Sequence, residues 1–440
     1  MTAARAQWGS RLGFILAAAG SAIGLGAIWK FPYIAGNNGG GAFLLLYIFF
    51  SLTIGLTVML AELALGRAAK LGPVGAFRKL VGSKWALFGY MGVLTGFLIM
   101  TFYSVVGGWT LGYLVKAVSG ELTGLSREGL NQVFGSFISD PWKPVWYHGL
   151  FLLLNMAVVL GGVKSGIEAI CKYLMPGLFI LMIGLIIRAL MLPGAMDGVA
   201  FFLLPDFSKV TISTVVEALG FAFFSLSLGM GAMITYGSYL DDQAKLVSSA
   251  LWVIGLQVAC ALLAGLMVLP VVFAFGFDPA AGPGLSFITL PAIFDHLPAG
   301  QWLGALFFAL LLVAALTSSI SLIEVVASYF IDEHGMERRK ITLAVCLVMF
   351  VAGIAPSLSF GLWQDVKPFG RTIFDLLDYL TSNVMLPLGG IAVSICLGWI
   401  AWPILARQLP HESPWFMTAI RLGCRWFAPL AIGGVLLKGI

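Results

Sequence analysis

Long, nearly uninterrupted apolar stretches alternate with short polar connectors along the whole chain. Each stretch approaches or exceeds the roughly 20 residues that cross the hydrocarbon core of a bilayer. Hydrophobic windows predict spans near 11–36, 40–66, 85–117, 144–162, 166–191, 213–240, 246–275, 301–330, 340–355, 372–402 and 414–437. The stretch 276–299 is too polar to cross and is broken by Pro279, Pro283, Pro291 and Pro298. It reads as an external lid or re-entrant hairpin.

Two spans depart from the apolar pattern. The first contains Gly20-Ser21-Ala22-Ile23-Gly24-Leu25-Gly26 and the sixth contains Ser225-Leu226-Ser227-Leu228-Gly229-Met230-Gly231, each dense in Gly and Ser at mid-membrane depth. They lie five spans apart, and because five is odd they cross in opposite directions. That is the pattern of an inverted repeat, here spans one to five (11–191) and six to ten (213–402), with an eleventh span (414–437) after it. Packing through small residues is the commoner use of Gly and Ser in membrane helices. The matched pair favours interrupted helices instead.

An interrupted helix leaves amide donors on one half and carbonyl acceptors on the other, at a depth without bulk water to satisfy them. A zwitterion fits such a break. Its carboxylate can meet the amides of Leu25 and Gly26 at the positive end of a half-helix, and its ammonium the carbonyls of Ala22, Phe224 and Ser225. The carbonyls of Gly20 and Ile23, with hydroxyls from Thr317-Ser318-Ser319 in the eighth span, suit a hard cation such as sodium. Ser and Thr in membrane helices also commonly bond their own backbone one turn back.

Composition narrows the class further. Sixty per cent of the 440 residues are hydrophobic and 10% charged, and the mean hydropathy is +0.99, which points to one integral-membrane domain covering 1–440. Arg5 and Arg11 precede an apolar stretch too long for a signal peptide and without a small-residue cleavage site, so it reads as a retained first helix. The net charge of +5 is spread over short loops rather than gathered in a patch, which argues against nucleic acid. Loops rich in Lys and Arg, including Arg67, Lys70, Arg78, Lys79, Lys164 and Arg338 to Lys340, predict a cytoplasmic N-terminus and an external C-terminus. The five cysteines lack metal-ligand spacing, the four histidines sit near loops or span ends, and no nucleophile, metal or phosphate motif emerges, so an enzyme is not expected.

The run from Arg11 to Gly26, then Trp29-Lys30-Phe31-Pro32-Tyr33, Asn38-Gly39-Gly40-Gly41-Ala42-Phe43, Tyr103, Gly108-Trp109-Thr110-Leu111, Phe224 to Gly229 and Ala314 to Ser319, resembles the neurotransmitter:sodium symporter family with the LeuT fold. The nearest branch is the bacterial multi-hydrophobic amino-acid transporters. The resemblance implies an all-α, 5+5 inverted-repeat carrier with discontinuous helices 1 and 6, in the bacterial inner membrane. It would take up neutral hydrophobic or aromatic amino acids with sodium. A proton-coupled permease of the same fold, with Glu62 or Glu324 as carrier, is the alternative. Oligomeric state stays open, and lipid is the only other expected partner.

The resemblance also assigns residues. Gly20, Ile23, Ala314, Thr317 and Ser318 would hold one sodium. Tyr103 would donate to the substrate carboxylate and close over it with Phe224, while Ala22, Gly24, Leu25, Gly26, Ile99, Ser225, Ser227, Met230, Ser318 and Leu322 would complete the pocket. A second sodium would use Ala22, Ser225 and Gln257, but Ala27 replaces the family's asparagine ligand. Ala261 stands where relatives carry Ser for chloride or a carboxylate, so no chloride requirement is expected. Lys30 with Asp378 would form the external gate, and Arg5, Asp332, Trp8 and Tyr239 the cytoplasmic one. Gly166 and Pro176 match the spacing at which relatives unwind span five.

Overall fold

The computed structural model describes residues 6–276 and 285–439. Arg5, Pro279 and Pro283 lie outside them. Among the described residues the chain is helical throughout, the only pairing of extended backbone being an isolated bridge between Gly40 and Pro205. Nine helices among the described residues are long and apolar enough to cross a membrane: Gly41–Ala69, Ser83–Ser119, Lys143–Leu160, Val163–Leu190, Leu246–Ala274, Gly300–His334, Arg338–Leu358, Ile373–Ile400 and Pro414–Gly439. A tenth crossing is the pair Arg11–Ala22 and Gly26–Asn37, bent by 53° at its break. Ile212–Ser225 and Ala232–Ser238, two shorter helices joined by a non-helical linker, stand where the sequence predicts the sixth span. Numbered in chain order these are spans 1 to 11, with the bent pair as span 1 and the linked pair as span 6. The short apolar helix Ser286–Asp295 lies between spans 7 and 8, within the stretch expected to form a lid or re-entrant hairpin.

The two broken helices sit in a frame of whole ones. Spans 3 and 8, which occupy matching places in the two repeats, form the most extensive helix pair. Gly96 of span 3 faces Leu322 and Val325 of span 8, while Gly92 faces the backbone of Met230 in the linker of span 6. Span 1 packs on spans 5, 7 and 8, and the second half of span 6 lies along span 2. At that last contact a side chain on Gly66 would enter the backbone of Ile234, and one on Gly237 the backbone of Leu63. Small residues allow such approach where the surrounding lipid offers no hydrophobic drive for helices to associate.

Both breaks have local causes. Span 1 stops when Ile23 turns to ψ 80°. The amide of Gly24 then bonds to Ala22, so the carbonyl of Gly20 misses the bond that a continuous helix would give it. In span 6 the linker holds Ser227, Gly229 and Gly231 at φ of 55°, 86° and 80°. At Gly229 a side chain would also run into the backbone of Leu386 in span 10, so glycine is required there. Ser227 is not glycine, and holding it left-handed costs on the order of 1–3 kcal/mol, strain that characteristically collects at functional sites.

Candidate functional site: a closed cavity between two broken helices

The breaks face each other. The Ser21 carbonyl of span 1 accepts from Ser227 Oγ of span 6 at 2.8 Å and from Ser318 Oγ of span 8 at 3.0 Å. The Leu25 amide donates to Tyr103 Oη of span 3 at 3.0 Å. Gly24 passes so close to span 8 and Tyr103 that a Cβ there would lie 2.8 Å from both Ser318 Oγ and Tyr103 Oη. Two helix ends, a phenol and two hydroxyls thus converge around a cavity of about 40 Å³.

Eleven of the twelve residues expected to surround a substrate line this cavity: Ala22, Gly24, Gly26, Ile99, Tyr103, Phe224, Ser225, Ser227, Met230, Ser318 and Leu322. Leu25 contributes through its amide. The walls divide by chemistry. Amide, carbonyl and hydroxyl groups gather at the break of span 1, while Ile99, Met230, Leu322 and Leu386 form an apolar side. Sequence reasoning missed Ser21, Ala27 and Leu386. Ser21 lay inside the Gly/Ser cluster and was legible; Leu386 carries no polar signal, and only its neighbour Pro387 marks the locality.

Of the residues expected to hold sodium, Gly20 lies against Thr317, and Ala314 stands one turn before it on span 8. A Cβ on Gly20 would approach Thr317 Cβ to 3.1 Å and Met175 Sδ of span 5 to 3.3 Å. Ile23, Ala314 and Thr317 are fully buried. Thr317 Oγ1 donates to Val313 or Ala314 at 3.1 and 3.2 Å, the bond one turn back anticipated from sequence, yet a donating hydroxyl keeps its lone pairs for a cation. Among the described residues no three His, Cys, Asp or Glu gather as a metal site, so these neutral oxygens are what a hard cation would meet. Near Ser225 a second polar group forms. Tyr47 Oη lies 3.3 Å from Ser225 Oγ, and the side chains of Ser51 and Gln257 lie beside it without a well-formed hydrogen bond of their own.

The sequence matches the profile of the Sodium:neurotransmitter symporter family over residues 5–127 and 132–404. The chain belongs to that family. The backbone superposes with a TM-score of 0.92 on the crystal structure of MhsT in complex with L-phenylalanine, a chain 43% identical, with 99% of this chain and 100% of that one covered. An uncharacterised sodium-dependent transporter of Bacillus subtilis is 43% identical over 390 residues, spanning 88% of this chain and 86% of the relative. The sodium- and chloride-dependent GABA transporter 2 of Homo sapiens is 26% identical over 452 residues, 91% and 73% of the two chains. The protein is therefore a LeuT-fold transporter, not an enzyme.

In this symporter the two approaches to the cavity differ. On the N-terminal side Trp8 Nε1 donates to the Tyr236 carbonyl at 3.0 Å and the Trp8 amide to that of Tyr239 at 3.2 Å. The indole packs edge-on against Phe14, Tyr236 and Tyr239. Tyr239 Oη donates to Glu324 at 2.6 Å, and Arg338 grips the same carboxylate at 2.7 and 2.9 Å. Asp332 accepts from the Gly72 amide at 2.6 Å; its expected partner, Arg5, lies outside the described residues. Glu168 accepts from the Gly9 amide and Ser10 Oγ and pairs with Lys172 at 2.6 Å.

On the far side the expected ion pair is not formed. Lys30 Nζ lies over the Phe224 ring, 5.5 Å from its centroid, and Asp378 accepts from Ser382 Oγ at 2.9 Å. Lys30 lines a second cavity of about 350 Å³, with Ile34, Glu217, Ser382, Asn383 and Lys438, and Phe224 forms a wall of both cavities. Span 5, expected to unwind between Gly166 and Pro176, is helical over Val163–Leu190 and opens with a π-helical turn at Val163–Glu168. Gly166 packs there on the backbone of Gly161. Of the two membrane carboxylates raised as proton carriers, Glu324 is held by Arg338 and Glu62 accepts from the Gly229 amide at 2.6 Å. Glu62 therefore pins the break of span 6.

Proposed function

We propose that this transporter carries neutral hydrophobic or aromatic L-amino acids into a bacterial cell, across the cytoplasmic membrane, coupled to at least one sodium ion. The observation that carries the reading is the cavity between the breaks, polar at the Leu25 amide and Tyr103 phenol and apolar at Ile99, Met230 and Leu322. A carboxylate fits the first end and an uncharged side chain the second, because no ionisable group other than the phenol lines the walls. The L-phenylalanine bound to MhsT in its crystal structure supports the substrate class. Sodium would sit among the carbonyls of Gly20, Ile23 and Ala314 and the hydroxyls of Thr317 and Ser318. Ser318 belongs to both sets, so ion and substrate binding draw span 8 toward span 1 together.

One ion suffices for uphill uptake. A tenfold sodium gradient supplies about 1.4 kcal/mol and 100 mV across one charge about 2.3, together roughly 3.7 kcal/mol, a concentration ratio of several hundred. A second ion at Ala22, Ser225 and Gln257 would lack the side chain that Ala27 replaces, and Ala261 brings no hydroxyl for chloride. Alternating access would then swing the broken spans 1 and 6 against a frame built on spans 3 and 8.

The test is uptake of labelled leucine, tryptophan and tyrosine into liposomes holding the purified protein. Sodium-dependent accumulation, absent with potassium and indifferent to chloride, is the expected result. Accumulation driven by a proton gradient without sodium would overturn the coupling and shift it to Glu62.

A further inference from the structure

A cavity of about 610 Å³ opens away from the transport site, on the outer surface where span 4 meets span 9. Its walls are Trp142, Trp146, Leu153 and Met156 on one side and Leu347 and Phe350 on the other. The floor is fixed by His148, which is fully buried, stacks on the Phe350 ring at 5.3 Å and 8°, and places Nε2 3.1 Å from the Phe350 carbonyl. Depth comes from Gly149, where a Cβ would come within 3.0 Å of that ring. This is a shaped groove with a rigid base.

Its depth in the bilayer decides what fills it. Both helices are membrane spans, and only 33% and 44% of their apolar windows are buried within the protein, so the groove faces hydrocarbon rather than water. From Trp142 to Met156 it runs about 21 Å at 1.5 Å per residue. Half of a hydrocarbon core is about 15 Å, so one acyl chain entering at Trp142 would lie in the groove past the midplane.

The two ends are unequal. At the Trp142 end the indoles of Trp142 and Trp146 are 78% and 67% exposed, the disposition of aromatic residues at a membrane interface. Beside them Lys143 keeps 66% of its side chain exposed and lies a loose 3.7 Å from Asp140. The Met156 end is walled by apolar side chains alone. A ligand with an anionic head and one apolar tail therefore has a single orientation here.

We propose that the groove between spans 4 and 9 is a binding site for one glycerophospholipid, its acyl chain along Gly149 and Phe350 and its phosphate at Lys143 and the Trp142 indole. Lipid tails are as apolar as leucine, so the hydrophobic effect gives no preference for the groove over bulk lipid. Retention rests on packing in the groove and on the headgroup contacts, and the two can be separated.

The protein is purified in mild detergent and the phospholipid that stays bound is counted by native mass spectrometry; delipidated protein is then titrated with phosphatidylglycerol or phosphatidylethanolamine. About one phospholipid per chain is expected, with occupancy falling at least tenfold in Gly149→Leu. Leu153→Trp fills the groove from its exposed rim and should do the same if Gly149→Leu does not fold. Lys143→Glu, a surface change that leaves the groove open, should weaken phosphatidylglycerol several-fold and phosphatidylethanolamine less. Equal loss of both lipids in Lys143→Glu still supports the site and makes the shared phosphate the determinant. Unchanged occupancy in both filling variants overturns the proposal. So does a dimer of the wild-type protein that the filling variants turn into monomer without loss of lipid, because a second copy would then be what covers the groove.

Discussion

The two approaches to the central cavity are closed by different chemistry. Toward the N-terminus closure is a set of directional bonds, from partly buried Trp8 to the backbone of span 6 and from Tyr239 and Arg338 to one fully buried carboxylate, Glu324. On the far side an aromatic ring, Phe224, separates the cavity from a vestibule of about 350 Å³, and the charged residues above it, Lys30 and Asp378, make no bond to each other. Directional buried bonds break together and at high cost. A ring beneath a lysine ammonium is held by a weaker and less directional contact. The contrast teaches that this conformation is locked on one side and only lidded on the other, as a carrier poised to exchange with the vestibule side would be.

The largest effect is expected from unlocking the tight side. Arg338→Ala leaves Glu324 buried without its countercharge, and removing one partner of a buried pair costs about 3–5 kcal/mol. Cys171, fully buried beside Gly20 and Met175, reports on the outcome. Its maleimide labelling, mapped by peptide mass, should rise at least tenfold while substrate accumulation collapses. Labelling that stays at the wild-type level would show that Glu324 and Arg338 do not hold this side shut.

Next in size is the site that both approaches share. Thr317→Val with Ser318→Ala removes two hydroxyls from the proposed ion shell and the 3.0 Å bond from Ser318 to Ser21. At about 1 kcal/mol for the neutral bond and about 1.5–3 for a contact with a charge, sodium activation should shift by at least tenfold. Sodium dependence like that of the wild type would remove these residues from the ion site. Tyr103→Phe deletes one donor to a carboxylate, so substrate affinity should fall about tenfold with sodium activation unchanged; equal affinity would reassign the phenol to holding Leu25 alone.

How far these contrasts were legible in sequence follows from what each depends on. The spans and both breaks were readable because a Gly/Ser cluster inside an apolar run is a local pattern, and the odd spacing of the two clusters gave the inverted repeat. Eleven lining residues were found because they sit in or near recognisable motifs. Pairing was less legible. Glu62 meets the Gly229 amide across 167 positions, and Glu324 meets Arg338 across the turn between two helices; neither separation leaves a periodic trace. Lys30 and Asp378 stand at the expected places, yet whether they touch depends on side-chain rotamers and on how far the half-helices have closed, which residue type does not encode. Leu386 reaches the cavity only because span 10 packs on the Gly229 linker.

The smallest effect, and the one that most sharpens the comparison, belongs to Lys30→Arg. A lysine ammonium is a compact, strongly hydrated charge on a flexible stem, whereas a guanidinium offers a planar fork that meets a carboxylate with two bonds and lies flat on an aromatic ring. Lys30 already rests over Phe224, so arginine would keep that contact while reaching for Asp378. The pair would be solvated in the vestibule, and such pairs contribute about 0.2–1 kcal/mol. The lidded side should therefore stay shut longer: substrate affinity should rise by no more than about fivefold and exchange across the vestibule side should slow to a similar degree. Adding Asp378→Asn should abolish both changes, because the fork would lose its acceptor charge. If Lys30→Arg alters exchange equally with and without Asp378, the effect comes from stacking on Phe224, and the far side is closed by its aromatic lid alone.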